Sequence, residues 1–91
     1  MADIEIQHDP PREHLDHMGV FGWPTWGSPV ETFPWTYDEP ETCYFLEGHV
    51  VVTPDGGAPV EIGQGDLVTF PAGMSCTWEV RRTVRKHYRF G

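Results

Sequence analysis

The sequence predicts an all-β domain, either a sandwich or a small barrel, with one short helix near its N-terminus. The first observation is an alternation of apolar and polar residues from residue 33 onward, which is typical of strands with one buried face. The second is a series of glycine and proline clusters that interrupt this alternation and mark turns. The third is the length of 91 residues, which suits one domain.

Residues 1–22 are expected to form an N-terminal arm that is helical or irregular. Residues 4–6 alternate once, so they predict a short edge strand. Asp9 stands before two prolines, as a helix N-cap often does. Residues 12–18 then predict one or two helical turns that end at Gly19.

Residues 22–34 contain several glycines, prolines and aromatic residues, which predicts an ordered but irregular wall of the core. Phe33, Trp35 and Tyr37 then share one face of an extended segment. Residues 54–57 have the composition of a hairpin turn. The remaining strands are predicted over residues 41–46, 49–53, 60–62, 67–70, 76–80 and 84–90.

The charge balance indicates which partners to expect. The chain has 14 acidic and 6 basic residues, a net charge of −8, so nucleic acid is not an expected partner. Apart from Arg12, all the basic residues follow residue 80, where there is no acidic residue. We expect this basic end to pair with acidic residues of the same chain or across a dimer, and an anion site is the alternative.

The sequence predicts a cytoplasmic protein with reduced cysteines. No segment approaches the roughly 18 to 20 apolar residues of a membrane span, so no membrane partner is expected. The first residues lack the basic and apolar regions of a signal peptide. Cys43 and Cys76 have no CxxC spacing and are expected to be reduced thiols.

Two blocks of the sequence resemble the two motifs of the cupin superfamily. Glu41 and Gly48 match the end of the first motif, and Gly65, Pro71 and Gly73 match the second. The resemblance implies a double-stranded β-helix, which is a jelly-roll barrel with a small-molecule site inside.

The metal ligands that the resemblance implies are largely missing. Trp35 and Tyr37 stand where the first motif carries its histidine pair, and Cys76 stands where the second carries its histidine. We therefore predict a degenerate metal site and no cofactor. Glu41 and Cys76 remain as candidate ligands should a divalent manganese, iron, nickel or zinc ion bind.

The chain also resembles small single-domain cupins that are grouped with the cupin domain of ureidoglycine aminohydrolase and with ethanolamine-utilisation cupins. The resemblance implies one cupin domain over residues 1–91, with the barrel over residues 23–90, and a homodimer, as cupins commonly form. The aminohydrolase holds manganese with histidines that this chain lacks. The resemblance rests on Trp23, Trp26, residues 41–44, residues 65–68, Phe70, Pro71, Trp78 and residues 85–88.

Side-chain alternation predicts an ion pair inside the barrel. If Glu41 faces the interior as the motif implies, its partner should be Lys86, the single charge on an apolar stripe of the last strand. A buried charge needs such a partner. We predict that the two meet inside or at the mouth of the barrel, in a pocket lined by Trp35, Tyr37, Cys43, Cys76 and Trp78.

Two functions fit this pocket. In the first, the protein binds a small polar metabolite without catalysis, and the missing histidines favour this function. In the second, it is an aminohydrolase-like enzyme for a nitrogenous or carboxylated metabolite, with or without a metal. Glu41 would then be the base, and Lys86 an acid or a group that binds a carbonyl or carboxylate.

Less specific interpretations remain open. Lys86 can extend its stem to solvent while the aromatic residues and cysteines only pack in the core. Cys76 can act as a nucleophile only if a nearby cation lowers its pKa. A structural role as a partner subunit is a third option.

Overall fold

The structure, a computed structural model, describes residues 3–91. This part of the chain forms seven strands, one α-helix and one 3-10 turn. The helical elements are α1 (Arg12–Met18) and the 3-10 turn (Val20–Gly22). The strands are β1 (Glu5–His8), β2 (Thr25–Ser28), β3 (Thr32–Thr36), β4 (Glu41–Pro54), β5 (Val60–Gly63), β6 (Asp66–Phe70) and β7 (Ser75–Phe90).

All seven strands form one antiparallel sheet around the long central pair β4 and β7. The order is β1-β6-β4-β7-β2, with β5 also paired to β4 and β3 also paired to β7. Each long strand therefore has two short strands on its outer side, one along each half. The predicted all-β fold with a short N-terminal helix is confirmed.

The central strands are longer than predicted. The sequence predicts a break near residue 48 and another near residue 82, but β4 and β7 each continue without interruption. Gly48 has a φ of 103°, and the register of β4 shifts between Phe45 and Val50, which identifies a β-bulge. A bulge bends a strand without ending it, so the glycine that suggested a turn marks a bend.

The bend brings distant parts of β7 together. Trp78 and Lys86 are eight positions apart, which corresponds to about 26 Å in a straight strand. In the folded chain the Lys86 Nζ lies 4.6 Å from the centre of the Trp78 ring. The strand therefore curves around the interior, and both of its halves contribute side chains to the same space.

The N-terminal arm is partly as predicted. The predicted helix is present over Arg12–Met18 and ends at Gly19, whose φ of 75° is the left-handed conformation common after helices. The N-cap is Pro11 and not Asp9, which instead donates its backbone N–H to the Gly65 carbonyl at 3.1 Å. Residues 1 and 2 of the predicted arm lie outside the described residues.

The segment over residues 22–34 is more regular than predicted. It contains β2 and the start of β3, which both pair with β7. The prediction was wrong because the long edge of β7 supplies hydrogen-bond partners to a segment whose own sequence does not alternate. In residues 3–91, no helix has the length and apolar character needed to cross a membrane.

The core has a large and a small part. The small part lies under α1 and contains Leu15, Val20 and Leu67. The large part fills the barrel and is rich in aromatic rings; Tyr37 and Phe70 stack with their ring centres 4.9 Å apart. Such rings bury large apolar areas, which helps a domain of this size to form a stable core.

Candidate functional site

A cavity of about 240 Å³ opens at the aromatic end of the barrel. Strands β2, β3, β4 and β7 supply its walls, together with Tyr37, which follows β3. All of the lining side chains are aromatic except one acid and one base. They are Trp26, Phe33, Trp35, Tyr37, Glu41, Trp78, Lys86, Tyr88 and Phe90.

The acid and the base form a buried ion pair. The Lys86 Nζ donates a hydrogen bond to the Glu41 Oε1 at 3.2 Å, and the two residues are 4% and 5% exposed. The contact predicted from strand alternation is therefore present. Because burial removes both charges from water, each group depends on the other for compensation.

The Lys86 ammonium has further neighbours. It donates a second hydrogen bond to the Cys43 Sγ at 3.2 Å and lies 5.1 Å from the centre of the Trp26 ring. An ammonium has three N–H groups, and only these two hydrogen-bond acceptors are found within the part of the chain that the structure describes. The third N–H group has no hydrogen-bond acceptor among the described residues, and the centre of the Trp78 ring lies 4.6 Å from Nζ.

Tyr37 offers a second donor. Its hydroxyl oxygen accepts a hydrogen bond from the Trp78 Nε1 at 3.1 Å, so its own O–H is left to donate. Burial, together with the nearby Glu41 carboxylate, raises the pKa of Tyr37 above its usual range. The hydroxyl therefore keeps its proton at neutral pH.

Neither cysteine lines the cavity, contrary to the prediction. Cys43 is fully buried behind Lys86, and the Cys76 Sγ donates a hydrogen bond to the Trp35 carbonyl at 3.5 Å. Alternation placed both sulfur atoms inward correctly, but larger neighbouring side chains form the wall. Both are free thiols, as expected from the sequence.

The thiols are not activated. Burial raises the pKa of Cys43, and it outweighs the opposite effect of the Lys86 ammonium. Burial also raises the pKa of Cys76 to about 11, with a further contribution from Asp55. A nucleophilic cysteine needs a lowered pKa, so the structure does not support Cys76 in that role.

Sequence reasoning missed four residues of the lining, and three of them carried a signal. Phe33 shares a face with Trp35 and Tyr37, and Tyr88 and Phe90 share the stripe of Lys86. Trp26 gave no such signal because β2 does not alternate. The missed residues are Trp26, Phe33, Tyr88 and Phe90.

The donors in the cavity do not fit a divalent metal ion. Glu41 is the one carboxylate in the lining, and the Lys86 ammonium occupies the position beside it that a cation would take. Cys76, the other candidate ligand, is outside the lining. No group of three histidine, cysteine or acidic side chains suited to a metal is found among residues 3–91.

The barrel is similar to several solved structures. A DUF861 family protein from Thermotoga maritima is 46% identical, with a TM-score of 0.94, over 98% of this chain and 100% of that chain. The EutQ protein of Clostridium difficile is 26% identical, with a TM-score of 0.66, over 72% of this chain and 52% of that one.

An ethanolamine utilization protein, EutQ, from Salmonella typhimurium is 27% identical, with a TM-score of 0.66, over 72% of this chain and 53% of that chain. The present chain therefore spans about half the length of either EutQ protein. The curated proteins contain no match to this sequence.

A family model described as "EutQ-like cupin domain" matches residues 15–88. The match begins in α1, includes β2 to β6 and extends through most of β7. It contains both sequence blocks that resemble the cupin motifs. The predicted resemblance to the ethanolamine-utilisation cupins is confirmed, and this chain belongs to the EutQ-like cupin domain family.

Proposed function

We propose that this protein binds a small polar metabolite in the aromatic cavity. The polar end of the metabolite contacts Lys86 and Tyr37, and its body lies against the aromatic walls. The observation that carries the proposal is the buried Glu41/Lys86 ion pair, which lies in the lining of an open cavity and retains a free N–H donor. Homodimer formation and a cytoplasmic location remain predictions from the sequence.

The energetics of the site favour this function over simple packing. A buried ion pair stabilises a fold no better than well-packed apolar side chains of the same volume. A core selected for packing alone would also fill the cavity, because protein interiors are close-packed. Trp26, Trp35 and Phe90 line the cavity and are 37%, 47% and 43% exposed overall, so apolar surface is left for a ligand to cover.

The polar groups define the end of the ligand that they bind. The Lys86 Nζ and the Tyr37 hydroxyl both donate, so they suit an oxygen acceptor such as a carbonyl group. The aromatic walls suit a flat or apolar body, since rings bind such groups by stacking and area burial. Few polar contacts in a mostly apolar pocket are typical of small-molecule sites.

A thermal-shift screen of metal-stripped protein tests the proposal. The panel contains divalent metals, short carboxylates, keto acids, aldehydes, amino acids, ureides and sugars. A ligand that binds the native state raises the unfolding temperature by mass action. We expect an organic ligand to do so without added metal.

Variants connect the response to the cavity. The double variant Glu41→Gln/Lys86→Met removes both charges together and should lose the response. Arg81→Met removes an exposed charge from the same strand, outside the cavity, and should keep it. An unchanged response in the double variant, or a response to metals alone, would contradict the proposal, whereas consumption of the bound ligand would identify an enzyme.

A further inference from the structure

Lys86 is the only lysine in the sequence, and it lies inside the barrel. Lysine is among the residues that are almost never fully buried unless they are paired. The other long cationic side chains of the chain are arginines. The one side-chain primary amine of the protein is therefore placed in a cavity that a small molecule can enter.

The surroundings of Lys86 are those of a reactive amine. Its Nζ lies 3.2 Å from a carboxylate oxygen of Glu41, and aromatic rings of Trp26 and Trp78 face it at 5.1 and 4.6 Å. A lysine removed from water beside an acid–base partner can serve as a nucleophile toward carbonyl carbons. We propose that Lys86 forms a reversible Schiff base with a small uncharged aldehyde or ketone. This inference rests on the proposed function and names its ligand class.

The charge of the cavity selects an uncharged ligand. The two ionic side chains in the lining are Glu41 and Lys86, and they compensate each other. A charged ligand would lose its hydration without gaining a counter-ion, which is costly in an apolar site. A neutral carbonyl compound needs only a hydrogen-bond donor for its oxygen, and the Tyr37 hydroxyl provides one.

The reaction balances within the site. Proton transfer from Nζ to the Glu41 carboxylate leaves a neutral amine and a neutral acid, so no charge has to leave the cavity. The nitrogen lone pair attacks the carbonyl carbon, and the carbonyl oxygen takes the proton from Glu41 to give a carbinolamine. Glu41 then removes a proton from nitrogen and returns it to the hydroxyl group, which leaves as water while the C=N bond forms.

The product keeps the electrostatic balance of the site. The net reaction converts an ammonium and a carbonyl compound into a protonated imine and one water molecule, and Glu41 ends as a carboxylate. The protonated imine carries the same positive charge as the ammonium that it replaces. It remains beside Glu41 and the aromatic rings, which stabilise a cation by charge and by cation–π contact.

Reductive trapping tests the inference. Wild-type protein is incubated with benzaldehyde and cyanoborohydride, which converts an imine into a stable secondary amine, and peptide mapping locates the adduct. The α-amino group provides an internal measure of general amine reactivity. We expect Lys86 to react roughly tenfold faster in the folded protein than in the urea-unfolded chain, because a bound carbonyl has a raised effective concentration.

Two controls separate the chemistry from binding. Lys86→Arg keeps a cation but cannot form an imine, so only the α-amino adduct should remain. Benzyl alcohol has the body of benzaldehyde without the carbonyl group, and it should raise the unfolding temperature less than benzaldehyde does. Should Lys86→Arg fail to fold, the comparison of folded and unfolded wild type still decides the question.

The outcomes for the two proposals are distinct. An adduct at Lys86 that depends on the fold supports the Schiff base. An adduct restricted to the α-amino group, or equal rates at Lys86 in the folded and unfolded chains, overturns it. If a compound from the thermal-shift panel still binds and the double variant loses that binding, the Schiff base alone is rejected and the proposed binding function stands.

Discussion

Two regions of the same barrel interior differ in how their space is used. In the aliphatic region, Ile62, Val50 and Val80 lie side by side on β5, β4 and β7, and none is more than 1% exposed. In the aromatic region, an open cavity surrounds the Glu41/Lys86 ion pair. The first region is closed and apolar, as stability requires, and the second keeps charge and empty volume, as the proposed ligand binding requires.

The comparison predicts which substitutions should affect stability alone and which should also affect ligand binding. Changes in the aliphatic region should lower stability and leave the ligand response of the folded protein intact. Changes to the ion pair should affect both. The bend at Gly48 joins the two regions, because β4 reaches Glu41 on one side of it and Val50 on the other.

The largest loss of stability is expected for Glu41→Gln. It leaves the Lys86 ammonium buried without its counter-ion, and breaking a buried pair in this way costs about 3–5 kcal/mol. Urea unfolding of the variant and wild type measures the difference in the free energy of unfolding. Glu41→Gln/Lys86→Met, which removes both charges, should recover most of the loss. A single variant as stable as wild type would show that the pair is not isolated from water.

Gly48→Ala is expected to lower the free energy of unfolding by about 3–4 kcal/mol. An added Cβ would lie 2.6 Å from the Thr83 carbonyl oxygen and from the Val84 Cα, and the φ of 103° is unfavourable for alanine. Gly56→Ala is the matched control, since its φ is also positive but a Cβ there meets nothing within 4 Å. We expect that control to cost only about 1 kcal/mol. Equal effects of the two variants would contradict the tight contact at the bend.

Ile62→Ala is expected to cost about 3 kcal/mol, because it removes buried apolar atoms and leaves a cavity in the closed region. The folded variant should keep the thermal shift that a cavity ligand produces. Trp35→Ala is its counterpart, since Trp35 lines the cavity and about half of its surface is already exposed. Compared with Ile62→Ala, the Trp35→Ala variant should lose less stability and more of the thermal shift that the ligand produces. The reverse pattern would show that the two regions do not differ in function.

Sequence alternation predicted the ion pair because the face of a strand on which a side chain lies depends only on its parity. Glu41 and Lys86 are 45 residues apart. The resemblance to the cupin motif implied that Glu41 faces inward, and alternation along the last strand identified Lys86 as the charge on the inward stripe. Parity does not say how far an inward side chain reaches. Cys43 and Cys76 point inward as predicted, but their short side chains stop behind larger neighbours.

The fold class was predictable for the same reason, whereas the long strands were not. A glycine between two alternating segments predicts a turn or a bulge equally well, and only the partner strand decides between them. At Gly48 the partner is β7, which continues past it and bends with it. The strand β2 could not be predicted because its pairing depends on the same distant partner and not on its own pattern.

The smallest predicted effect concerns alkaline pH. Burial raises the pKa of Cys76 from 9.0 to about 11, so the folded state retains a proton that the unfolded state loses. The contribution of this group to stability is complete below pH 9 and decreases as the pH rises toward 11. Between pH 8 and pH 10 the free energy of unfolding should therefore fall about 1 kcal/mol more in wild type than in Cys76→Ala.

Urea unfolding at the two pH values measures this difference. The contributions of groups that titrate alike in both proteins cancel when the two changes in free energy are subtracted. Ile62→Ala is the control from the aliphatic region. This variant changes no titratable group. Its free energy of unfolding should therefore change with pH as that of wild type does, although the variant is less stable than wild type at each pH. Identical pH dependence in wild type and Cys76→Ala would show that folding does not raise the pKa of the Cys76 thiol. Because Cys76 packs behind the cavity wall, that result would mean that water reaches the space behind the wall. The aromatic region would then differ from the closed aliphatic region in solvent access as well as in its cavity.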